Sequence, residues 1–356
     1  MKKLLSIILL LLATLVFATW QYRLLCVLII VLINKQWIRT KTRLPFNAVA
    51  WGLLLCIFIA MPNYFKRGRT QLVYLDKEGG KICTPLKVYL INTLFPEEEM
   101  MNFGLKATAV LPSESLSPLF RNLGSRLIRD AREDFWKGGF FSFYTPYNRL
   151  SLQGSNPGTF LIAQVMNEYL GTDYNAVYIT KPKKYDSDRT YPVIFFAHGY
   201  LGSWELYQGL FSQLDDFFVV SIGTRDMSGI FSYNDINKVF TQYIPYLKAE
   251  GYNIGDAHFM GLSNGGSASD VALRSFDNSF KTVTYISTSC NVVKPSKAKV
   301  ILIGGGKDAS SAGLPAAEIG LRKCGTKTAI FFDREDNHYM MVHKQREIMD
   351  FLNNEM

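Results

Sequence analysis

The sequence predicts an α/β fold class, a doubly wound and mostly parallel sheet, preceded by N-terminal transmembrane helices. Three observations carry this. The first 69 residues hold three apolar runs and ten basic residues but no acidic one. From residue 175 onward, short β-branched and aromatic runs alternate with longer amphipathic ones, the pattern of βαβ units around a parallel sheet. Residue types suited to nucleophilic chemistry follow those runs, at the carboxyl ends where such a sheet presents its functional loops.

The apolar leader comes first in the chain. Its runs cover residues 4–20, 24–34 and 46–61. Crossing about 30 Å of hydrocarbon takes roughly 20 helical residues, so the first and third suffice with a few flanking residues. The second is short, and crosses only if Arg23 and Lys35 snorkel outward while Trp20, Tyr22 and Trp37 occupy the interfacial belts. Three spans with the N-terminus inside place Lys2, Lys3, Lys35, Arg39, Lys41 and Arg43 on the cytoplasmic side, and Arg23, Lys66, Arg67 and Arg69 outside. A cleaved signal peptide, with Lys2-Lys3 before the apolar run and Ala18 as a small residue, leaves the rest on the same outer side. Only two spans, with residues 4–34 as one long helix, return it to the cytoplasm. The expectation is a membrane anchor over 1–69 with two or three segments in the inner or plasma membrane, and an extracytoplasmic remainder.

The charge agrees with that division. The leader's ten Lys and Arg outnumber the whole chain's net charge of +9, so the remainder is close to neutral. A basic apolar leader on a neutral body points to a membrane partner and not to nucleic acid, which needs clustered phosphate-neutralising cations. Of the five cysteines, Cys26 and Cys56 sit in apolar runs, while Cys83, Cys290 and Cys324 are scattered without CxxC spacing. They mark neither a zinc site nor a full disulfide set, and no metal is expected.

Residues 70–174 read as an N-terminal extension with a strand-like run at 86–92 and a charged helical stretch at 113–136. Within it, Phe135, Trp136, Phe140, Phe141, Phe143, Tyr144 and Tyr147 crowd around Gly138-Gly139, a candidate lid with a hinge; the alternative is a satellite core. Residues 175–356 read as the catalytic core. Strands are expected at 175–181, 191–197, 217–222, 257–261, 282–287, 300–304 and 328–332, with the clearest intervening helix at 233–250.

Gly261-Leu262-Ser263-Asn264-Gly265 follows the run His258-Phe259-Met260 and leads into a helix-like stretch. G-x-S-x-G between a strand and a helix is a nucleophile elbow, in which a strained turn lifts the serine hydroxyl above the sheet. A serine hydroxyl is a weak nucleophile near neutral pH and needs a base held by an acid. His338 lies downstream, after the expected final strand, in Asp333-Arg334-Glu335-Asp336-Asn337-His338; His343 is its rival. Asp308, in Gly305-Gly306-Lys307-Asp308, directly follows a strand and stands between serine and histidine in the chain, whereas Asp333 and Asp336 are too near His338 to be preferred. His198-Gly199-Tyr200-Leu201-Gly202-Ser203 follows an early strand, where an oxyanion hole draws one backbone donor. The expected donors are the amides of Tyr200 and Asn264, with His198 a turn-stabilising residue and Asp226 a loop-ordering one.

These pieces, in this order, resemble the α/β-hydrolase superfamily over roughly residues 175–353. Within it the chain looks like the esterase branch that includes dienelactone-hydrolase-like and platelet-activating-factor-acetylhydrolase-like proteins. The resemblance implies a serine hydrolase that cleaves a carboxylic or lipid-like ester through an acyl-enzyme on Ser263, without cofactor. A membrane-surface acyltransferase, a peptidase and a non-catalytic binding protein of the same fold are the alternatives. Only about a dozen residues separate Ser287 from Val300, so the cap often inserted after that strand is missing.

Overall fold

The computed structural model describes residues 2–11, 26–31, 70–83, 130, 132, 175–199, 205–224 and 229–356. Nine strands form one sheet: β1 (Thr70–Leu75), β2 (Lys81–Ile82), β3 (Asn175–Thr180), β4 (Tyr191–Ala197), β5 (Phe218–Ile222), β6 (Ile254–Leu262), β7 (Thr282–Ile286), β8 (Lys299–Gly305) and β9 (Thr328–Asp333). Their order is β2-β1-β3-β5-β4-β6-β7-β8-β9. From β5 to β9 every neighbouring pair is parallel, while β3 runs antiparallel to both β1 and β5. Two strands come from the segment assigned above to the N-terminal extension. The sheet therefore reaches upstream of residue 175.

The parallel strands are apolar on both faces because both faces are covered. In β4, Val193, Phe195 and Ala197 join one core, and Ile194 and Phe196 the other. In β8, Val300 and Leu302 alternate with Ile301 and Ile303 in the same way. The first core is closed by α3 (Tyr233–Lys238), α4 (Ile244–Ala249), α5 (Gly266–Ser275) and α6 (Leu314–Lys323), through Ile236, Leu247, Ala272 and Leu321. The second is closed by α2 (Glu205–Leu210), α7 (Met340–His343) and α8 (Gln345–Glu355), through Leu210, Met340, Ile348 and Leu352. Helices on both faces make this a doubly wound α/β sheet with the strand order of the α/β-hydrolase fold.

The helix expected at 233–250 is present but not uniform. Ser232 opens it with a capping box, exchanging hydrogen bonds with Asp235. A π turn, Val239–Tyr243, joins α3 to α4. The turn directs the side chain of Gln242 to donate to the carbonyl of Lys77 at 2.6 Å and accept from Asn175 Nδ2 at 2.9 Å, which pins the β1–β2 turn and the start of β3.

At the N-terminus the described residues include α1 (Lys2–Leu11). Among the described residues no helix is long and apolar enough to cross a membrane. Most of the three apolar runs, the runs at 86–92 and 113–136 apart from Asp130 and Arg132, and the aromatic segment 135–147 lie outside the described residues.

Candidate active site

A doubly wound sheet opens a crevice where its strand order reverses. Here β5 lies on one side of β4 and β6 on the other, so the reversal falls between the carboxyl ends of β4 and β6. The register places Ala197 beside Gly261, Leu262 beside Ile286, and Gly305 beside Asp333, so the five loops after β4, β6, β7, β8 and β9 leave the sheet along one edge.

Ser263 follows β6 immediately and has a left-handed backbone, φ 54°. A non-glycine residue there stores local strain. What holds it is the close packing of the turn. A Cβ on Gly265 would lie 2.4 Å from the Ala197 carbonyl oxygen and 2.6 Å from that of His198, so only glycine lets the helix after the serine approach the end of β4. The 3-10 turn Ser263–Gly265 then runs into α5, whose N-terminal dipole faces the turn.

Asp308 and His338 reach the serine from the loops after β8 and β9. The loop after β8 and the loop after β9 meet backbone to backbone: Gly306 N–H donates to the Asp333 carbonyl at 2.7 Å and Lys307 N–H to that of Asp336 at 2.9 Å. A Cβ on Gly305 would lie 2.3 Å from the Asp336 carbonyl oxygen, which explains the glycine pair before Asp308. The three side chains form a line. His338 Nδ1 lies 3.1 Å from Asp308 Oδ2, and His338 Nε2 lies 2.9 Å from Ser263 Oγ. An ionised carboxylate only accepts, so Nδ1 carries the imidazole proton and Nε2 is left to accept the serine hydroxyl.

Asp308 is 3% exposed. Burial pushes its carboxyl up, but hydrogen bonds from His338, Ser310 and Ser311 outweigh that and hold it below the usual carboxylate range. Ser310 Oγ is 2.6 Å and Ser310 N 3.0 Å from Oδ1, and Ser311 Oγ is 2.8 Å from Oδ2. The sequence did not single out these serines. An Asp followed at two and three residues by Ser is also what an ordinary Asx turn contains.

His198, His258, Asp333 and Asp336 stand apart from the line. His198 is fully buried, packs on Phe231 at 5.0 Å between ring centroids, and its Nδ1 lies 2.7 Å from the Gly199 carbonyl oxygen. His258 is buried within β6, with Nδ1 2.9 Å from Thr282 Oγ1. His343 ends α7. Asp333 pairs with Lys344, and Asp336 accepts from the Asn337 amide at 3.1 Å. Asn264 follows Ser263 in the turn and is exposed. Tyr200, the other expected oxyanion donor, lies outside the described residues, as does Asp226. Phe231 N–H donates to Ser267 Oγ at 3.2 Å, and Ser267 Oγ donates to the Asn264 carbonyl at 2.9 Å, tying the loop after β5 to the serine turn.

None of the four described cysteines, Cys26, Cys83, Cys290 and Cys324, is in a disulfide, and among the described residues no group of His, Cys, Asp and Glu could hold a metal.

No family model and no curated protein matches the chain. Solved structures do. A ferulic acid esterase from Anaeromyces mucronatus is similar at 14% identity with a TM-score of 0.39, over 51% of this chain and 85% of its own. A thermostable esterase is similar at 18% identity and a TM-score of 0.43, over 52% of this chain and 60% of its own. The acylaminoacyl peptidase of Pyrococcus horikoshii is similar at 16% identity and a TM-score of 0.39, over 50% of this chain and 39% of its own. This chain thus spans less than two thirds of the length of the latter two.

Proposed function

We propose that the chain is a serine hydrolase that cleaves a carboxylic ester with an apolar, lipid-like acyl or alcohol part. The observation that supports it is the continuous hydrogen-bonded line from Asp308 through His338 to Ser263, ending on a hydroxyl held in a left-handed turn at the crevice. Ser263 Oγ attacks the ester carbonyl carbon as its proton passes to His338 Nε2, and the carbonyl electron pair moves onto oxygen. The amides of Asn264 and Tyr200 receive that oxyanion. Collapse expels the alcohol, which takes the proton from His338, and water then repeats the sequence to free the acid and Ser263. Asp308 keeps the imidazole in the tautomer that accepts from serine.

The body is anchored in the membrane by residues 1–69 and faces the extracytoplasmic side. The basic apolar leader supports this, as does α1, which presents Leu4, Leu5, Ile7, Ile8 and Leu10 outward. A membrane holds the enzyme where lipid-like esters partition.

The test is turnover of p-nitrophenyl esters of graded chain length by the full chain. Ser263→Ala is expected to lower kcat by a factor on the order of 10⁴ to 10⁶ with the fold intact. Activity within tenfold of the parent would remove Ser263 from the nucleophile role. His338→Ala is expected to match it, and Asp308→Asn to cost up to about 10⁴ through the wrong tautomer. For topology, alkaline phosphatase fused after residue 70 is expected to be active and a green fluorescent protein dark; the reverse pair would place the body in the cytoplasm.

A further inference from the structure

Two residues beyond Asp308, Ser310 touches both members of the acid–base pair. Its Oγ lies 2.6 Å from Asp308 Oδ1 and 3.3 Å from His338 Nδ1, and 3.1 Å from the carbonyl oxygen of Ser287. A hydroxyl has one proton to give. The shortest of the three contacts is to a charged oxygen, where a hydrogen bond is strongest, so the proton goes to Asp308 Oδ1. His338 Nδ1 carries its own proton, so toward that atom Ser310 Oγ can only accept. The Nδ1–H thus faces a fork: Asp308 Oδ2 at 3.1 Å and Ser310 Oγ at 3.3 Å.

We propose that Ser310 is a positioning residue for the hydrolysis: its hydroxyl bridges the free oxygen of Asp308 to His338 Nδ1 and holds the imidazole in the plane that serves Ser263. The inference rests on the triad assignment above. In the attack step the imidazole gains the serine proton at Nε2 and becomes cationic, and Nδ1–H then bonds to two acceptors instead of one, the hydroxyl being polarised by the carboxylate it donates to. Ser310 neither gains nor loses its proton. Ser311 differs. It is fully buried, donates to Asp308 Oδ2 at 2.8 Å, accepts from the Gly305 amide at 3.1 Å, and makes no hydrogen bond with His338. Ser311 shapes the turn, while Ser310, exposed and at the crevice edge, can be changed without opening a cavity.

The experiment measures the rate at which a fluorophosphonate probe labels the full-length chain, separating the rate constant for bond formation from the affinity for the probe. Three variants are compared: Ser310→Val, Ser310→Thr and Ser263→Ala. Thr and Val share a shape and differ in the hydroxyl. Ser310→Val is expected to lower the rate constant about tenfold, the worth of one hydrogen bond to a charged group, with probe affinity and melting temperature unchanged. Ser310→Thr is expected to stay within about threefold of the parent, because it keeps the oxygen. A Val variant that labels as fast as the parent overturns the proposal. Equal slowing in Val and Thr, with or without a lower melting temperature, overturns it too, since the hydroxyl then decides nothing. Labelling that survives Ser263→Ala overturns the triad assignment itself, and is told apart because it does not involve residue 310.

Discussion

Ser263 and Ser287 are the two non-glycine residues with left-handed backbone among the described residues, at φ 54° and 49°. They end neighbouring strands, yet their hydroxyls differ. That of Ser263 meets an imidazole nitrogen at the crevice; that of Ser287 is buried without a hydrogen-bond partner. The backbone strain is common to both; the hydrogen-bond partner is not. His258 shows the converse, a buried imidazole on an unstrained strand. It lies midway along β6, beside a cavity of about 340 Å³ that Phe217, Asp256 and Lys281 also line. Burial, helped by the charge of Lys281 and opposed by Asp256, pushes its pKa down to about 4. An imidazole with a depressed folded pKa contributes stability that is complete above its unfolded pKa and is lost as pH falls, because the unfolded chain takes up the proton first. The window runs from about pH 6.5 down to about pH 4, and the loss by pH 5 is on the order of 2 kcal/mol. Urea unfolding of the parent and of His258→Asn at pH 7.5 and pH 5 checks this; equal slopes in the two proteins would refute it. The Asp308 carboxyl titrates below that window and does not contaminate it.

Legibility at this scale followed the strength of the steric demand. Ser263 stood out in the sequence because the elbow tolerates only small neighbours, and Asp308 because a glycine pair precedes it. Ser310 and Ser311 did not, since nothing in Asp-Ala-Ser-Ser separates a hydroxyl that holds a carboxylate from one that faces water.

Among elements, β3 to β9 coincide with the runs read as strands, and the parallel ones, β4 to β9, were legible because a parallel strand covered on both faces is largely apolar. β1 was missed. Its six residues pair with β3 about a hundred positions away, and next to a basic apolar leader they carry no signal of that partner. The π turn inside the helix from Tyr233 was equally silent, since it changes the period by one residue while keeping Ile236, Val239 and Leu247 inward. Glycines separate two kinds of element constraint. Gly265→Ala would force the turn after Ser263 away from the ends of Ala197 and His198, and is expected to cost about 1–3 kcal/mol of stability and about 100-fold in activity. Gly209→Ala, inside α2 with nothing within 4 Å of the new methyl, is expected to add about 0.5–1 kcal/mol. Thermal melts and ester turnover of the two variants check both; a Gly265→Ala enzyme of parental activity would mean the turn yields without moving the serine.

For the whole molecule, the sheet joins what the linear division into extension and core separates. β1 covers the full length of β3, from Thr70 beside Thr180 to Leu75 beside Asn175. A buried polar chain strengthens that seam: the Thr70 hydroxyl donates to that of Thr180 at 2.7 Å, Thr180 donates to Gln208 Oε1 at 2.7 Å, and Gln208 Nε2 donates to Ser221. A chain beginning at residue 175 keeps Ser263, Asp308 and His338 but bares the β3 edge, with Val177, Tyr178 and Ile179 on it. Such an edge invites pairing with other chains. The fragment 175–356 is expected to aggregate where 70–356 stays soluble, as light scattering of the two at equal concentration would show; matched solubility would mean β1 is dispensable. The same seam has a consequence in time. Synthesis proceeds at about 5–20 residues per second, so the 110 residues between Thr70 and Thr180 take roughly 5–20 s to appear. Throughout that interval Thr-Gln-Leu-Val-Tyr-Leu, six residues without charge and with strong strand preference, is already made while the strand it pairs with is not. A newborn chain is most exposed to misassembly then, long before His338 has been made.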